Sequence, residues 1–337
     1  MAARGNLQVC SQRGLSVCSR TCAHMRSQLP AVAAVSGPVE RLRVEGETAL
    51  NGCMEHDESD ESPANEYDTR MALLKNAKRS AVPLRKTFVQ KPRSRSSSAE
   101  NRAGPLSGFV VRGDRRALDA YLILLAAISS GGENGDDWST RHPIMVFARA
   151  FGTTLDAERA SAATAVSKTL RRLEDRNLIE RSRSGRERKI KVRLLREDGS
   201  GEPYTRPSGT SEAERFLQLN HVYWQKGWID KLKMPGLAML LVALHEKPGF
   251  TLPTEKVPMW YGWSADTAER GLAELQDLGL LHKVQHRRKE PLSASGFGLI
   301  NHYFLLPPFG NLDALELLAD HVNAEASFER SSVAGPK

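Results

Sequence analysis

Hydrophobic and polar positions follow the same order twice in the second two-thirds of the chain. Each copy begins with an apolar segment of helical character, at residues 118–128 and 236–244, and continues through a polar connection. A Ser-Ala-x-Thr-Ala motif then opens an amphipathic helix, at residues 161–165 and 264–268. A period near 100 residues indicates duplicated domains, because solenoid repeats are only about 20–50 residues long. The leucines match at an offset of 102: Leu170 with Leu272, Leu173 with Leu275, and Leu178 with Leu280.

Each amphipathic helix is followed by residues with the period of a β-strand. Apolar and basic side chains alternate over residues 178–195, and Gly185 divides this stretch as a hairpin turn requires. In the second copy, a strand at 280–284 leads through a longer loop to a second alternating stretch at 299–306. Each copy therefore predicts helices followed by a β-hairpin. The apolar members of the first alternation are Ile190, Val192 and Leu194, and the basic members are Lys189, Lys191 and Arg193.

This order of helices and hairpin resembles the winged helix-turn-helix module. The stretch SKTLRRLEDRNLIERSRSGRERKIKVRL, which begins at Ser167, resembles the recognition helix and wing of MarR-type regulators. The resemblance covers residues 115–195 well and residues 229–307 moderately; we call them the first repeat and the second repeat. It implies a mainly α fold with small β wings (α+β), built from two winged-helix domains after a disordered N-terminal region. Two such domains in one chain are also similar to plasmid replication initiators.

Composition sets the expected domain boundaries. Residues 1–108 are rich in Ser, Gly, Pro and charge without sustained periodicity, which predicts a disordered leader. We place the two winged-helix domains at residues 109–207 and 208–310. A short helix and tail follow at residues 311–337.

The net charge changes sign within the expected leader. It is −8 over residues 40–68 and +8 over residues 75–102. The basic part is interpreted either as a solvated linker or as an arm that contacts DNA phosphates. Met71 lies just before the basic part and is an alternative start to Met1.

A helix over residues 161–176 would present its candidate DNA contacts on one face. At 100° per residue, the core side contains Ala162, Val166, Thr169, Leu170 and Leu173. The opposite side begins with short hydroxyls and continues with cations, as a helix requires when it enters the major groove N-terminal end first. The outward residues are Ser161, Thr164, Lys168, Arg171 and Asp175, with Arg172 on the flank.

The hairpin expected after this helix is strongly basic. Residues 161–196 contain twelve bases and four acids, a net charge of +8. Such a density repels itself unless a polyanion neutralises it, and side chains beside Gly185 could enter a minor groove. We therefore predict double-stranded DNA as the partner. The hairpin residues expected to contact it are Arg183, Arg186, Arg188, Lys189 and Lys191.

The second repeat carries a weaker signal for DNA binding. Residues 264–290 contain five bases and five acids. The helical wheel places Asp266, Glu274 and Asp277 outward, where carboxylates would repel phosphates. A basic cluster in the expected wing loop could still add phosphate contacts. The predicted contacts of this repeat are Arg270, Arg287, Arg288 and Lys289.

Aromatic residues gather in the second domain. They could pack its core, or they could form a protein interface, where Trp and Tyr are enriched. In the second case this domain would pair two copies of the chain as a homodimer, and a short helix around residues 312–322 could join that interface. The aromatic residues are Tyr223, Trp224, Trp228, Trp260, Tyr261 and Trp263.

Other classes of function lack their sequence signals. The apolar runs are shorter than the roughly 20 residues that span a bilayer, so no membrane partner is expected. All four cysteines precede residue 54, which suits a reducing cytoplasm, and their spacing does not match a zinc ribbon. The P-loop, His-Glu-x-x-His and Gly-x-Ser-x-Gly motifs are missing from the sequence. We therefore expect no catalytic residues, no metal and no cofactor.

These observations predict a cytoplasmic protein that binds duplex DNA sequence-specifically and regulates transcription. Two alternatives remain open. A plasmid replication initiator would bind DNA in the same way, near an origin. A protein-interaction module would use both repeats to bind protein without contacting DNA.

Overall fold

The computed structural model describes residues 62–75, 77–93, 101–129, 131, 137–155, 158–183, 189–311 and 316–320. All of them belong to one compact unit. One hydrophobic cluster includes buried side chains from Leu74 to Phe309. No helix among these residues is long and apolar enough to cross a membrane.

The first elements of the fold lie in the region that composition assigned to a disordered leader. Helix α1 (Glu66–Lys75), strand β1 (Ala81–Arg85) and helix α2 (Leu106–Val110) all contribute buried side chains. Strand β1 pairs in antiparallel orientation with Phe216–Asn220. The prediction of disorder is therefore wrong for the described part of residues 1–108, and the remainder lies outside the described residues.

A buried charge cluster explains why composition was misleading here. Arg85 is fully buried and bonds to the carboxylate of Glu197, which is also fully buried. The second partner of Arg85 is Glu214, whose Oε2 lies 2.8 Å from Arg85 Nη2. A buried cation requires such partners, and both lie more than 110 positions away. Neither interpretation of the basic stretch, linker or phosphate-binding arm, therefore applies to Arg85.

The first repeat combines three helices with a three-stranded antiparallel sheet. In this sheet the last strand lies between the other two. That strand buries every second side chain, so the predicted alternation of apolar and basic residues is confirmed. The elements, in order, are α3 (Arg115–Ile128), β2 (Ser139–Pro143), α4 (Ile144–Ala150), α5 (Arg159–Glu174), β3 (Ile179–Arg183) and β4 (Lys189–Leu194).

Three short elements connect the repeats: β5 (Phe216–Asn220), α6 (Val222–Gln225) and α7 (Trp228–Lys231). A polar triad joins this connection to α3. Asp119 accepts hydrogen bonds from Arg115 at 2.7 Å and from the Tyr223 hydroxyl at 3.0 Å. Burial raises the pKa of Asp119 to about 6, although Arg115 opposes the shift.

The second repeat has the same order of helices and strands as the first. Its last strand again lies between the other two strands of its sheet. The chain is therefore an α+β protein with a duplicated arrangement. The elements are α8 (Met234–His245), β6 (Phe250–Thr251), α9 (Val257–Tyr261), α10 (Ala265–Asp277), β7 (Leu281–Lys289) and β8 (Phe297–Leu305).

The second hairpin differs from its prediction. Strand β7 continues to Lys289, so the connection to β8 is residues 290–296, whereas the sequence predicted a loop over residues 285–298. Alternation identifies a strand only where one face is buried, and the outer part of β7 is exposed throughout. Residues 316–320 are helical, within the tail predicted at 311–337. The proposed domain boundaries stay predictions.

Candidate nucleic-acid interface

Helix α5 presents the two faces that its sequence predicts. The helix begins two residues earlier than expected, at Arg159. Its buried residues are Ala162, Val166, Thr169, Leu170 and Leu173, which are the predicted core positions. Its exposed residues include Ser161, Thr164, Lys168 and Arg171, and Asp175, which follows its last residue, is exposed as well. The predicted division of the helix into a packed face and an outward face is confirmed.

An open groove of about 500 Å³ lies against the outward face. It is lined by residues of α5 and by Arg116, an exposed residue at the start of α3. Arg116 adds a cation that the sequence analysis missed, because its position beside α5 depends on how the two helices pack. The lining residues of α5 are Ala160, Ser161, Thr164, Ala165, Lys168, Thr169 and Arg172.

Two further arginines of this region are held by Asp114, which precedes α3. Arg172 Nε lies 3.1 Å from Asp114 Oδ2, and Arg176 Nη2 donates to the same oxygen at 2.9 Å. Arg176 also lies 4.4 Å above the ring of Phe109, and burial lowers its pKa. Arg172 keeps 43% of its side chain exposed. Arg172 thus stays at the rim of the groove, whereas Arg176 packs α5 against its neighbours.

The two central cations of α5 are in a different situation. Lys168 and Arg171 are exposed, and no described acidic residue forms an ion pair with either side chain. A polyanion could therefore contact both without first breaking an internal pair.

The first hairpin, β3–β4, divides its predicted contacts into two groups. Arg183 and Lys189 are exposed at the outer ends of the two strands. Lys191 donates a hydrogen bond to Asp137 Oδ2 at 2.6 Å, which lowers the pKa of Asp137. Lys191 is therefore bound within the protein, to a carboxylate that its local sequence does not reveal. Arg186 and Arg188 lie outside the described residues.

The second repeat places its charges differently on α10. Arg270 is exposed and pairs with Asp266 at 2.9 Å, one turn earlier. Asp277 is exposed as predicted, but Glu274 is not directed outward. Its carboxylate accepts the backbone N–H groups of Lys233 and Gly236, at 2.6 and 3.2 Å. The predicted outward position of Glu274 is wrong, because it satisfies donors at the N-terminus of α8.

The second hairpin, β7–β8, carries its basic cluster on a strand rather than in a loop. Arg287, Arg288 and Lys289 are all exposed. Arg287 lies opposite Leu299, and Lys289 lies opposite Phe297. Residues opposite each other in an antiparallel pair share a face. This hairpin therefore mixes cations with exposed apolar side chains, unlike the first.

The aromatic residues of the second domain pack its core. Tyr223, Trp224, Tyr261 and Trp263 are buried. Trp228 and Trp260 are partly buried and pack against the same cluster. The packing interpretation is therefore confirmed. The predicted homodimer stays a prediction.

Comparison with known protein families, with curated proteins and with solved structures found no match to this chain. Within the described ranges, no group of three or more His, Cys, Asp or Glu side chains is placed to hold a metal ion. The four cysteines lie outside those ranges. The outward face of α5, with its groove, is thus a region of the fold where exposed cations and short hydroxyls come together.

Proposed function

We propose that the chain binds duplex DNA through α5 and the first hairpin, and that each repeat is a winged helix. The observation that carries the proposal is the outward face of α5. There Ser161 and Thr164 precede two cations, Lys168 and Arg171, with which no described acidic residue forms an ion pair. Ser161, Thr164 and Lys168 line an open groove. Short side chains let a helix approach base edges closely, and Lys and Arg bond to guanine or phosphate oxygens.

Three further cations extend this surface. Arg116 lines the same groove, and Arg183 and Lys189 lie exposed at the outer end of the first hairpin. In this arrangement α5 occupies the major groove, while the hairpin contacts the backbone or the adjacent minor groove. The second repeat contributes auxiliary phosphate contacts through Arg287, Arg288 and Lys289. Arg270 contributes least, because Asp266 already neutralises it.

The biological role that we propose is regulation of transcription. Selection from random duplexes with the full chain should yield a preferred sequence, and immunoprecipitation of bound genomic DNA should recover several promoters. A single site beside a replication origin would instead support a replication initiator. Recovery of proteins without DNA would support the interaction module.

Salt dependence of binding tests the electrostatic part of the proposal. With at least about six phosphates neutralised, log K should fall with log salt with a slope of about −5 or steeper. Fluorescence anisotropy with the selected duplex measures this slope. A shallow slope, or no preferred duplex, would contradict binding through this cationic surface.

Replacement of Lys168 and Arg171 by alanine tests the assignment of α5. We expect each lost base contact to weaken specific binding by about 1–3 kcal/mol, with a smaller effect on random duplexes. The matched control is Arg270→Ala, which removes a cation from the equivalent position of the second repeat. Equal losses from Lys168→Ala and Arg270→Ala, measured by anisotropy, would reject α5 as the recognition helix.

A further inference from the structure

A second cationic pocket lies away from α5, where three distant parts of the chain meet. Its volume is about 520 Å³, within the usual range for small-molecule sites. One wall comes from residues 86–92 with Arg102, and another from Glu212 and Arg215. The third comes from residues 245–251 and Trp260 of the second repeat. The pocket thus lies between three parts of the chain: residues 86–92 with Arg102, which we call the N-terminal segment, the connection between the repeats, and the second repeat.

The side chains around this pocket carry an excess of positive charge. Glu212 and Glu246 are the acidic residues in its lining, and Glu246 already accepts hydrogen bonds from Tyr261 and His245, each at 2.9 Å. Among the described residues, no ion pair is formed by Lys91, Arg215 or Lys247. The cations of the lining are Lys86, Lys91, Arg102, Arg215 and Lys247.

Lys86 shows the effect of this concentration of charge. Its ammonium is partly buried and donates to the carbonyl of His245. Burial lowers the pKa of Lys86, Glu246 opposes the shift, and the neighbouring cations Arg215 and Lys247 reinforce it. An anion beside these three cations would relieve their mutual repulsion.

Hydrogen bonds within the wall hold one of these cations. Arg102 is held in place by Gln90, whose Oε1 accepts its guanidinium at 3.0 Å. Gln90 is in turn fixed by a bond to the carbonyl of Trp260 at 3.2 Å.

We propose that this pocket binds a small anion that carries phosphate groups, of the size of a nucleotide. Arginine and lysine side chains are the usual ligands of phosphate oxygens. The volume accommodates more than an isolated phosphate, and Trp260 offers an apolar surface for an attached ring. Because the ligand would contact both the N-terminal segment and the second repeat, its binding would stabilise their packing.

Isothermal titration calorimetry of the full chain, without DNA and at low ionic strength, tests the pocket directly. The probes are pyrophosphate, ATP and adenosine. We expect both anions to bind and adenosine not to bind. Equal affinities would identify the phosphate groups alone as the ligand, whereas tighter ATP binding would identify a nucleotide. Adenosine binding, or no heat from either anion, would overturn the proposal.

Two substitutions at the rim assign the binding to this pocket. Arg215→Gln and Lys247→Gln change exposed side chains and leave the hydrogen bonds of Lys86 intact. Each should weaken binding of the anions by about three- to tenfold. The matched control Lys226→Gln removes an exposed lysine that does not line the pocket, and it should leave affinity unchanged. An equal loss from the control would reject a specific site. Since no DNA is present, failure here leaves the α5 proposal untouched.

Discussion

In each repeat, the side chain at one equivalent position contacts the start of the first helix. The two side chains have opposite charges. Arg172 and Glu274 are 102 residues apart, the offset of the matched leucines. Arg172 pairs with Asp114, which occupies the N-cap position of α3, whereas Glu274 itself accepts the N–H groups at the start of α8. Both helix starts obtain a carboxylate, which the helix dipole favours. The first repeat thereby keeps a cation on α5, and the second places an acid on α10.

The two repeats also differ in the contacts that stabilise them. The first is surrounded by buried polar groups, including the Arg115–Asp119–Tyr223 triad and the Arg85–Glu197 pair. In the second, helices α8 and α10 pack closely against each other. A Cβ added at Gly271 of α10 would lie 2.3 Å from the carbonyl oxygen of Pro235 in α8. We therefore expect charge removal to affect the first repeat more than the second.

Arg85→Met should have the largest effect. It leaves Glu197 buried without its partner, so we expect a loss of about 3–5 kcal/mol in the free energy of unfolding. Urea denaturation followed by circular dichroism measures it. The double variant Arg85→Met/Glu197→Leu should recover most of the loss, because Glu214 keeps Arg196 as a partner at 2.9 Å. A loss below about 1 kcal/mol would contradict an unsolvated pair.

The titration of Asp119 should make stability depend on pH. Its pKa in the folded protein, about 6, is above its ordinary value of 3.8. The stabilisation is thus fully present below pH 3.8 and is lost as pH rises through 6, by about 2 kcal/mol between pH 4.5 and 7. Asp119→Asn should remove this component, as measured by urea denaturation across that range.

The second repeat provides a control for the measurement of stability against pH. Residues 234–244 of α8 contain no ionisable side chain. The control Asp277→Asn changes an exposed carboxylate of the second repeat and is measured across the same pH range. A stability difference between Asp119→Asn and the wild-type chain that does not vary with pH would show that Asp119 does not titrate near 6.

The smallest expected changes in the free energy of unfolding concern Arg172 and Glu274, the oppositely charged residues at the equivalent position of the two repeats. Glu274→Ala leaves two N–H groups at the start of α8 without their acceptor and should lower the free energy of unfolding by about 1 kcal/mol. Arg172→Ala removes a partly exposed ion pair and should lower it by less than about 0.5 kcal/mol. Thermal or urea denaturation can resolve the two. An effect of Arg172→Ala as large as that of Glu274→Ala would remove the distinction.

The spacing of hydrophobic residues along the sequence predicted those elements whose burial pattern is determined locally. The duplicated order of helices and strands, the buried face of α5 and the alternation in β4 all follow from sequence periodicity. The role of residues 62–93 could not be predicted in this way. Val82 and Leu84 form a short apolar strand among charged residues, and its partner β5 lies far along the chain.

The same distinction applies to the candidate site. The exposure of Lys168 and Arg171 was predictable, because it follows from their positions on one helix. The capture of Lys191 by Asp137 was not, because the two residues are 54 positions apart. The proximity of Arg116 to α5 depends likewise on tertiary packing. Charge density along the sequence identified the cationic region but not which cations remain unpaired.

The pairing of β1 with β5 has a consequence for synthesis of the chain. Arg85 pairs with Phe216, 131 positions later, and a ribosome releases β1 long before β5 exists. During that interval the nascent strand exposes edges that other chains could join. Pro83, in the middle of β1, lacks an N–H group and interrupts such pairing. Pro83 thus removes one hydrogen-bond donor from the middle of a strand whose partner is translated later.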